Sequence, residues 1–230
     1  MTAIILAGGM GTRLKSVIND IPKPMAPIAG RPFLQYLLRW LTNNGVERII
    51  LSIGYMGESI QSHFGSRFEK ADILYSLEES PLGTGGAIKK ALEFCESNRV
   101  LVLNGDTFFD IDIRSLHNAY ADADLTIALK EMRNFDRYGT VSVTDEGRVS
   151  AFIEKRHTEC GFINGGIYLI KRTLFEGFDL PEKFSFERFM EDNADKLAIS
   201  GLPFEGNFID IGIPEDYAMA QTLMHKWVSL

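Results

Sequence analysis

Short apolar runs alternate with amphipathic stretches through the first half of the chain. Each run is rich in β-branched or other aliphatic residues and has the length of one strand. The runs span Ala3–Ala7, Arg48–Ile53, Ile73–Glu78, Val100–Leu103 and Leu125–Lys130. Strands that alternate with helices are typical of βαβ units around a mostly parallel sheet. The pattern therefore predicts an α/β fold in which helices cover the faces of that sheet.

Helical spacing and end signals indicate where the helices lie. Apolar side chains recur at 3.6-residue spacing over Phe33–Leu41, and Gly45 stands where that helix should end. A second helix is expected over Ala87–Phe94, directly after a pair of glycines. Farther along, the hydroxyl of Ser185 can cap a helix, and Pro214 suits the first turn of another.

The second half of the chain adds strands of a different kind. Val141–Val143 and Val149–Ile153 flank Asp145-Glu146-Gly147, which is a hairpin signal, and Gly166–Ile170 is a further apolar run. The predicted fold class is therefore α/β, with a Rossmann-like, mostly parallel sheet flanked by helices and with additional antiparallel strands. Because no repeat or linker divides the sequence, we expect a single domain over residues 1–230.

Composition narrows the classes of partner. At 230 residues and 45% hydrophobic content, the chain can bury one full-sized core. Its formal net charge of −7 argues against nucleic acid or an anionic membrane, because both favour basic surfaces. The start of the chain lacks a basic, signal-like segment, and no apolar run approaches the ~18 residues of a membrane span. We therefore expect a cytoplasmic protein with reduced thiols at Cys95 and Cys160.

A glycine-rich turn directly after the first predicted strand is the strongest chemical signal. It reads Leu6-Ala7-Gly8-Gly9-Met10-Gly11-Thr12-Arg13-Leu14. Its glycines let the backbone approach a ligand closely and direct several N–H groups at one anion. The turn lacks the Gly-Lys-Ser/Thr of a Walker loop, and Leu14 replaces the third glycine of a dinucleotide fingerprint. Arg13 supplies the cation, since a guanidinium can bind phosphate oxygens in a bidentate manner.

A second basic element, Pro22-Lys23-Pro24-Met25, follows shortly after the turn. The two prolines fix an extended segment around one lysine, which can then present its charge to a phosphate. Alone, Pro22-Lys23-Pro24 is more typical of a surface turn with a solvated lysine. Together, the turn G-G-x-G-T-R-L and the segment P-K-P-M resemble the N-terminal signature of the sugar-1-phosphate nucleotidyltransferase family.

The resemblance to this family extends along almost the whole chain. Pro81-Leu82-Gly83-Thr84-Gly85-Gly86-Ala87 resembles the family's second loop, in which backbone groups contact the base and glycines permit stacking. Asn104-Gly105-Asp106 resembles the family's segment with a metal-binding aspartate, and Asp210 matches the second such aspartate. Taken singly, Asp106 is equally compatible with a turn and Asp210 with a helix cap. The segments that resemble the family's sugar-phosphate site are Tyr138-Gly139, Glu154-Lys155 and Asn164-Gly165-Gly166.

The resemblance implies transfer of a nucleotidyl group from a nucleoside triphosphate to a sugar 1-phosphate, with release of pyrophosphate. It implies that Arg13 and the amides of the glycine-rich turn hold the triphosphate and that Lys23 binds the α-phosphate. It also implies that Asp106 and Asp210 bind Mg²⁺, which prefers a few hard oxygen ligands. Lys155 would hold the incoming sugar phosphate.

The carboxylate at position 78 predicts that GTP is the nucleotide substrate. An ionised carboxylate only accepts hydrogen bonds, and guanine presents two neighbouring donors, N1–H and the N2 amino group. Uracil and thymine present one N–H between carbonyl oxygens, and relatives that use those bases commonly have glutamine here. The alternative is that Glu79 contacts the base while Glu78 is solvated.

Several alternatives remain open at the level of sequence. Asn104–Asp112, Phe135–Val141, Asn164–Leu169 and Phe208–Tyr217 resemble family members that transfer guanylyl groups to heptose 1-phosphates. Mannose 1-phosphate, or uridylyl or thymidylyl transfer to another sugar, are the alternatives within the family. Outside it stand a non-catalytic nucleotide-sugar-binding subunit and a glycosyltransferase that would use Asp110-Ile111-Asp112. We expect residues 1–135 to serve mainly the nucleotide and residues 136–230 mainly the sugar phosphate. A homo-oligomer is compatible with the sequence.

Overall fold

The computed structural model describes residues 1–9 and 21–228 of the chain. Within these ranges the strands are β1 (Thr2–Leu6), β2 (Pro27–Ile28), β3 (Arg31–Pro32), β4 (Arg48–Ile53), β5 (Arg67–Phe68), β6 (Ala71–Leu77), β7 (Arg99–Asn104), β8 (Thr107–Phe109), β9 (Leu125–Phe135), β10 (Thr140–Val143), β11 (Val149–Ile153), β12 (Thr158–Lys171), β13 (Ile199–Phe204) and β14 (Phe208–Asp210). The α-helices are α1 (Phe33–Asn43), α2 (Gly57–Phe64), α3 (Gly83–Ala91), α4 (Ile113–Ala119), α5 (Phe186–Asp192) and α6 (Pro214–Trp227). Short 3-10 helices cover Lys23–Met25 and Leu92–Phe94.

One mixed sheet organises the molecule. Strands β7, β1, β4 and β6 lie side by side in that order and are parallel. Beyond β7 follow β12, β9 and β13, with β12 antiparallel to both of its neighbours and β13 parallel to β9. The hairpin β10–β11 extends the sheet beside the first half of β12. The prediction of a mostly parallel α/β sheet with added antiparallel strands is therefore confirmed.

Two hydrophobic clusters cover the two faces of the sheet, as the alternation of side chains along β1 requires. Ile5 belongs to the cluster that α1, α2, α4 and α6 complete. Ile4 belongs to the other cluster, which α3 and α5 complete. The apolar face predicted over Phe33–Leu41 is confirmed, because α1 is buried along that face. Of the helices in the described ranges, none combines the length and the apolar character needed to cross a lipid bilayer.

Some element boundaries differ from those that the sequence predicted. The strand expected at Gly166–Ile170 runs from Thr158 to Lys171, because pairing with β9 continues to its beginning. Helix α3 begins at Gly83, before the glycine pair that was expected to precede it. The hairpin of β10 and β11 is confirmed, as is the cap of α5, where the Ser185 hydroxyl accepts a hydrogen bond from the Arg188 amide at 3.2 Å.

The strand order reverses at β1, and this reversal creates a cleft. The chain passes from β1 to β4 on one side, whereas β7 pairs with the opposite edge of β1. The segments that follow β1 and β7 therefore leave the sheet at the same carboxyl-terminal edge. Open α/β sheets bind ligands at this edge, where the strand order reverses. The Gly105 amide connects the two segments by donating a hydrogen bond to the Leu6 carbonyl at 3.0 Å.

Candidate active site

A cleft of about 760 Å³ opens at the carboxyl ends of the parallel strands. It brings together a large part of the residues that the sequence singled out. Those on its wall are Leu6, Gly8, Gly9, Lys23, Glu78, Pro81, Gly83, Thr84, Asn104 and Asp106. Other described residues on the wall are Pro24, Gly54, Tyr55, Glu79, Ser80, Ala87, Gly105 and Glu187.

The described part of the glycine-rich turn contributes to the wall of this cleft. Gly8 and Gly9 reach its wall, whereas Ala7 is fully buried and its amide donates to the Ser52 carbonyl at 2.8 Å. The Ala7 N–H is thus bound within the sheet, so this residue supports the turn from behind. The predicted triphosphate-binding residues Gly11, Thr12 and Arg13 lie outside the described residues, and their roles remain predictions.

The Glu78 carboxylate connects three segments of the cleft. One oxygen accepts a hydrogen bond from the hydroxyl of fully buried Ser52 on β4 at 3.1 Å. The other accepts from the Leu82 amide at 3.1 Å, in the loop before α3. The carboxylate also packs on the backbone of Gly8, where a Cβ would overlap it. Two donors and one glycine therefore hold Glu78 at the cleft wall, and each oxygen keeps a second acceptor position.

Glycines of the second loop accommodate a distant part of the chain. A Cβ on Gly85 would overlap the ring of Phe184, and Gly83, with φ +70°, lies against the Phe184 carbonyl. That carbonyl accepts the Gly85 amide at 3.0 Å, while the Phe184 amide donates to the Leu82 carbonyl at 3.0 Å. The glycines are thus required by this packing, a reason that the sequence did not reveal.

Thr84 and Glu187 complete this junction. The Thr84 hydroxyl donates to a carboxylate oxygen of Glu187 at 2.8 Å and accepts the Phe186 amide at 2.8 Å. Ser185 donates to the same carboxylate oxygen at 2.7 Å. Sequence reasoning missed Glu187, although it lines the cleft, because only its spacing after the cap Ser185 marks it. Thr84, predicted to bind nucleotide, directs its hydroxyl into this network.

Two aspartates converge on one lysine: Lys23 and Asp106 line the cleft, and Asp210 lies beside Lys23 behind the lining residues. The Lys23 ammonium forms an ion pair with Asp106, which follows β7, and lies 4.0 Å from a carboxylate oxygen of Asp210 at the end of β14. Burial raises the pKa of Asp210, the charge of Asp106 raises it further, and Lys23 opposes both effects. The structure thus joins three predicted residues that are widely separated in sequence.

Tyr138 contacts one of the two aspartates, Asp210. Its hydroxyl lies 3.5 Å from a carboxylate oxygen of Asp210. Burial raises the pKa of Tyr138 to about 12, so the phenol keeps its proton near neutral pH and is the donor. Arg137 donates both to this hydroxyl at 3.1 Å and to Asp216 on α6 at 2.7 Å. These hydrogen bonds connect the residues just before β10 to the first turn of α6.

The other predicted sugar-phosphate residues lie around this edge. Gly139 packs against the Ile153 carbonyl, so it adjoins exposed Glu154 and Lys155, which lie outside the wall of the cleft. Asn164 also lies outside that wall, where it donates to the hydroxyl of Tyr168 at 2.8 Å and accepts the Gly166 amide at 2.9 Å.

The Asp-x-Asp segment has structural partners instead of a place in the cleft. Asp110 accepts a hydrogen bond from the indole N–H of Trp40 at 3.0 Å. Asp112 caps α4 by accepting from the amides of Arg114 and Ser115 at 2.9 and 3.2 Å. Both carboxylates are engaged in these structural hydrogen bonds, and this argues against the metal site of a glycosyltransferase.

The pair Asp106 and Asp210 fits a hard divalent cation. Both carboxylates lie within reach of a single ammonium group, and part of each remains accessible, with side-chain exposures of 33% and 21%. Mg²⁺ is commonly bound by one or two carboxylates together with substrate phosphates and water. Among the described residues no cluster of three or more His, Cys, Asp or Glu side chains offers a fuller ligand set.

Comparison with known proteins gives consistent matches. A family model described as nucleotidyl transferase matches residues 2–226. D-glycero-alpha-D-manno-heptose 1-phosphate guanylyltransferase of Campylobacter jejuni subsp. jejuni serotype O:2 is 51% identical over 217 residues, covering 94% of this chain and 97% of that protein. The protein of the same name from Aneurinibacillus thermoaerophilus is 47% identical, and the match covers 99% of this chain and 100% of that protein. The crystal structure of HddC from Yersinia pseudotuberculosis complexed with GMP-PN matches with a TM-score of 0.85 at 39% identity, covering 96% of this chain and 97% of that one.

Proposed function

Because the chain belongs to the nucleotidyl transferase family, we propose that it transfers a guanylyl group from GTP to D-glycero-α-D-manno-heptose 1-phosphate. The products are GDP-heptose and pyrophosphate. The observation that carries the proposal is the convergence of Lys23, Asp106 and Asp210 beside the glycine turn, in a chain that matches two heptose 1-phosphate guanylyltransferases over nearly their full length. A nucleoside triphosphate substrate also supports a cytoplasmic location.

The reaction requires positioning and charge neutralisation more than proton transfer. An oxygen of the sugar phosphate attacks the α-phosphorus of GTP in line and forms a new P–O bond. The bond to the bridging oxygen of the β-phosphate breaks, and that oxygen carries the electron pair away with pyrophosphate. Because a phosphate monoester has a second pKa near ~6, the attacking group is already ionised near neutral pH. The main obstacle is repulsion between two anions, which fixed cations and N–H groups reduce.

The residues of the glycine-rich turn and Lys23 would bind the triphosphate. Gly8 and Gly9 line the cleft, and Gly11, Thr12 and Arg13 follow in sequence. We assign Arg13 to the outer phosphates and Lys23 to the α-phosphate, where negative charge increases in the transition state.

Asp106 and Asp210 would hold the metal. Nucleotidyl transferases of this family generally use a divalent metal ion, and we propose Mg²⁺, since the available ligands are two carboxylates. When bound, Mg²⁺ neutralises phosphate charge and orients the α-phosphate. Tyr138 would orient the Asp210 carboxylate by donating to it, with Arg137 fixing the phenol.

The remaining residues would bind the sugar phosphate. Asn104 lines the cleft next to Asp106. Gly139, Glu154 and Lys155 adjoin Tyr138 at the start of β10 and the end of β11, which is consistent with contact to a sugar phosphate that projects out of the cleft. We assign Lys155 to the phosphate and Glu154 to the sugar hydroxyls, and Asn164 supports this edge. In this assignment residues 1–135 serve mainly the nucleotide and residues 136–230 mainly the sugar phosphate.

The experiment that tests this function measures pyrophosphate released by the purified protein. Each of GTP, ATP, CTP and UTP is combined with heptose, mannose, glucose and N-acetylglucosamine 1-phosphates in the presence of Mg²⁺. We expect the highest kcat/KM for GTP with the heptose. A higher kcat/KM for mannose 1-phosphate would mean that the protein is a mannose-1-phosphate guanylyltransferase. Absence of pyrophosphate from every pair would refute nucleotidyl transfer.

A further inference from the structure

The Lys23 ammonium occupies the position between the two carboxylates. It is ion-paired with Asp106, lies 4.0 Å from Asp210, and is packed against Gly212, where a Cβ would approach the ammonium to 3.2 Å. The side chain is only 10% exposed. This is therefore an internal counter-ion in a confined site, unlike a surface lysine that samples solvent.

The backbone of Lys23 is fixed, so the ammonium can move only by turning its own side chain. Pro22 and Pro24 flank the residue, and the Lys23 carbonyl accepts the Ala26 amide at 3.0 Å. The Met25 amide donates to the Pro22 carbonyl at 2.8 Å. A lysine stem has four rotatable bonds, and because Lys23 also lines the cleft, rotation about them can turn the ammonium from Asp106 towards a ligand there.

Lys23 and a divalent cation cannot both hold the aspartate pair at full strength. A cation bound by Asp106 and Asp210 would lie within a few ångströms of the ammonium, where like charges repel strongly in a partly buried site. Conversely, if Lys23 left with no cation taking its place, two carboxylates would face each other. One positive group at a time therefore satisfies the pair.

We propose that Lys23 competes with the divalent cation for Asp106 and Asp210, and that the nucleotide relieves this competition. The idea rests on the proposed function, because a triphosphate supplies the anionic oxygens to which the ammonium turns. Nucleotide and metal then bind cooperatively, with Lys23 as the residue that couples them. Because coupling is reciprocal, the metal also strengthens nucleotide binding by the same factor. The free protein binds the metal weakly and the nucleotide complex binds it well.

Mn²⁺ binding to the free protein tests this proposal. Mn²⁺ affinity is measured by electron paramagnetic resonance, with and without a non-hydrolysable GTP analogue, for the wild type and for Lys23→Met, which keeps the stem without the charge. Without nucleotide, Lys23→Met is expected to bind Mn²⁺ at least about tenfold more tightly than the wild type, because a neighbouring positive charge has been removed. The enhancement by the nucleotide analogue should shrink by a similar factor. A purely phosphate-binding lysine would leave Mn²⁺ affinity of the free protein unchanged.

Three controls make the result decisive. Lys89→Met removes an exposed charge on α3 and should bind Mn²⁺ like the wild type. Lys23→Arg keeps the charge and should retain weak binding, and Asp106→Asn should abolish tight binding. Equal or weaker Mn²⁺ binding by Lys23→Met than by the wild type, in protein with an unchanged circular dichroism spectrum, overturns the proposal. If Lys23→Met does not fold, strong Mn²⁺ binding by Lys23→Arg overturns it, and retained weak binding supports it. Absence of pyrophosphate formation would refute the proposed function alone, since these affinities need no turnover.

Discussion

Glu78→Gln is expected to reduce the preference for GTP over UTP while leaving the fold intact. In the structure, Ser52 and Leu82 each donate to a different oxygen of Glu78, which leaves one acceptor position on each oxygen. Two acceptors match the N1–H and N2 amino donors of guanine. A glutamine at this position would offer guanine one acceptor, and its amino group would meet the second donor.

The size of this effect follows from the contacts. A lost hydrogen bond to a charged group, together with an unpaired donor, costs about 1–3 kcal/mol. This corresponds to roughly 5- to 150-fold in the ratio of kcat/KM for GTP to kcat/KM for UTP. The fold should tolerate the change, because the amide oxygen can still accept from Leu82 and the Ser52 hydroxyl can rotate to accept from the amide nitrogen. The free energy of unfolding measured in urea should therefore change by less than about 1 kcal/mol.

The assay is continuous detection of pyrophosphate with heptose 1-phosphate at a fixed concentration and GTP or UTP varied. Glu79→Gln is the matched control, since Glu79 is the exposed neighbour on the same cleft wall and should keep wild-type selectivity. Ser52→Ala removes one of the two internal donors and should give an intermediate loss of selectivity. Unchanged selectivity in Glu78→Gln with loss in Glu79→Gln would transfer the base contact to Glu79 and refute the reasoning.

Three further changes test other parts of the molecule. Asp106→Asn is expected to lower kcat/KM by at least about 10²-fold, because it removes a fixed charge from a polyanionic site. Asp110→Asn keeps its acceptor oxygen and should stay within about threefold of the wild type; comparable losses of pyrophosphate release in both would return Asp110 to the list of metal ligands. Thr84→Val should lower the free energy of unfolding by about 1–2 kcal/mol, since two hydrogen bonds are lost. Thr84→Ser keeps the hydroxyl and is the control in urea denaturation, and an unchanged free energy of unfolding in Thr84→Val would mean that the hydroxyl contributes nothing. The hydroxyl and amide of Ser115 lower the pKa of Asp112, so this cap stabilises the fold above the unfolded-state pKa and the contribution is lost as pH falls through the folded-state pKa. Asp112→Asn should flatten that acid-side decline in the urea midpoint, and an unaltered decline would contradict it.

Sequence patterns predicted the parts of the cleft that depend on strand ends. The glycine turn after β1 and Asp106 after β7 are each adjacent to a short apolar run, and neighbouring parallel strands bring their carboxyl ends together. The same logic extends to Glu78 after β6. For these residues, local hydrophobic pattern and the pairing rules of parallel sheets suffice.

Contacts between distant segments could not be predicted in this way. The bond between Thr84 and Glu187 joins positions 103 residues apart, and no local pattern encodes it. Helix α3 starts at Gly83 although glycine disfavours helices, because packing against Phe184 outweighs the intrinsic preference. Similarly, Asp110 appears as a ligand motif in sequence, and only the position of Trp40 reveals its structural partner.

The place of β12 in the sheet has a consequence for synthesis of the chain on the ribosome. Strand β7 pairs with β1 on one edge. Within residues 1–9 and 21–228, the strand that pairs with its other edge is β12, whose pairing residues end at Lys171. Until that residue has been translated and has left the exit tunnel, the nascent chain carries an apolar strand edge with unpaired backbone groups, which is a template for association with other chains. Premature stop codons between Asn104 and Lys171 should therefore yield aggregation-prone fragments. Ribosomal pauses in the same interval should expose the same strand edge for longer, whereas pauses after Lys171 should be tolerated better.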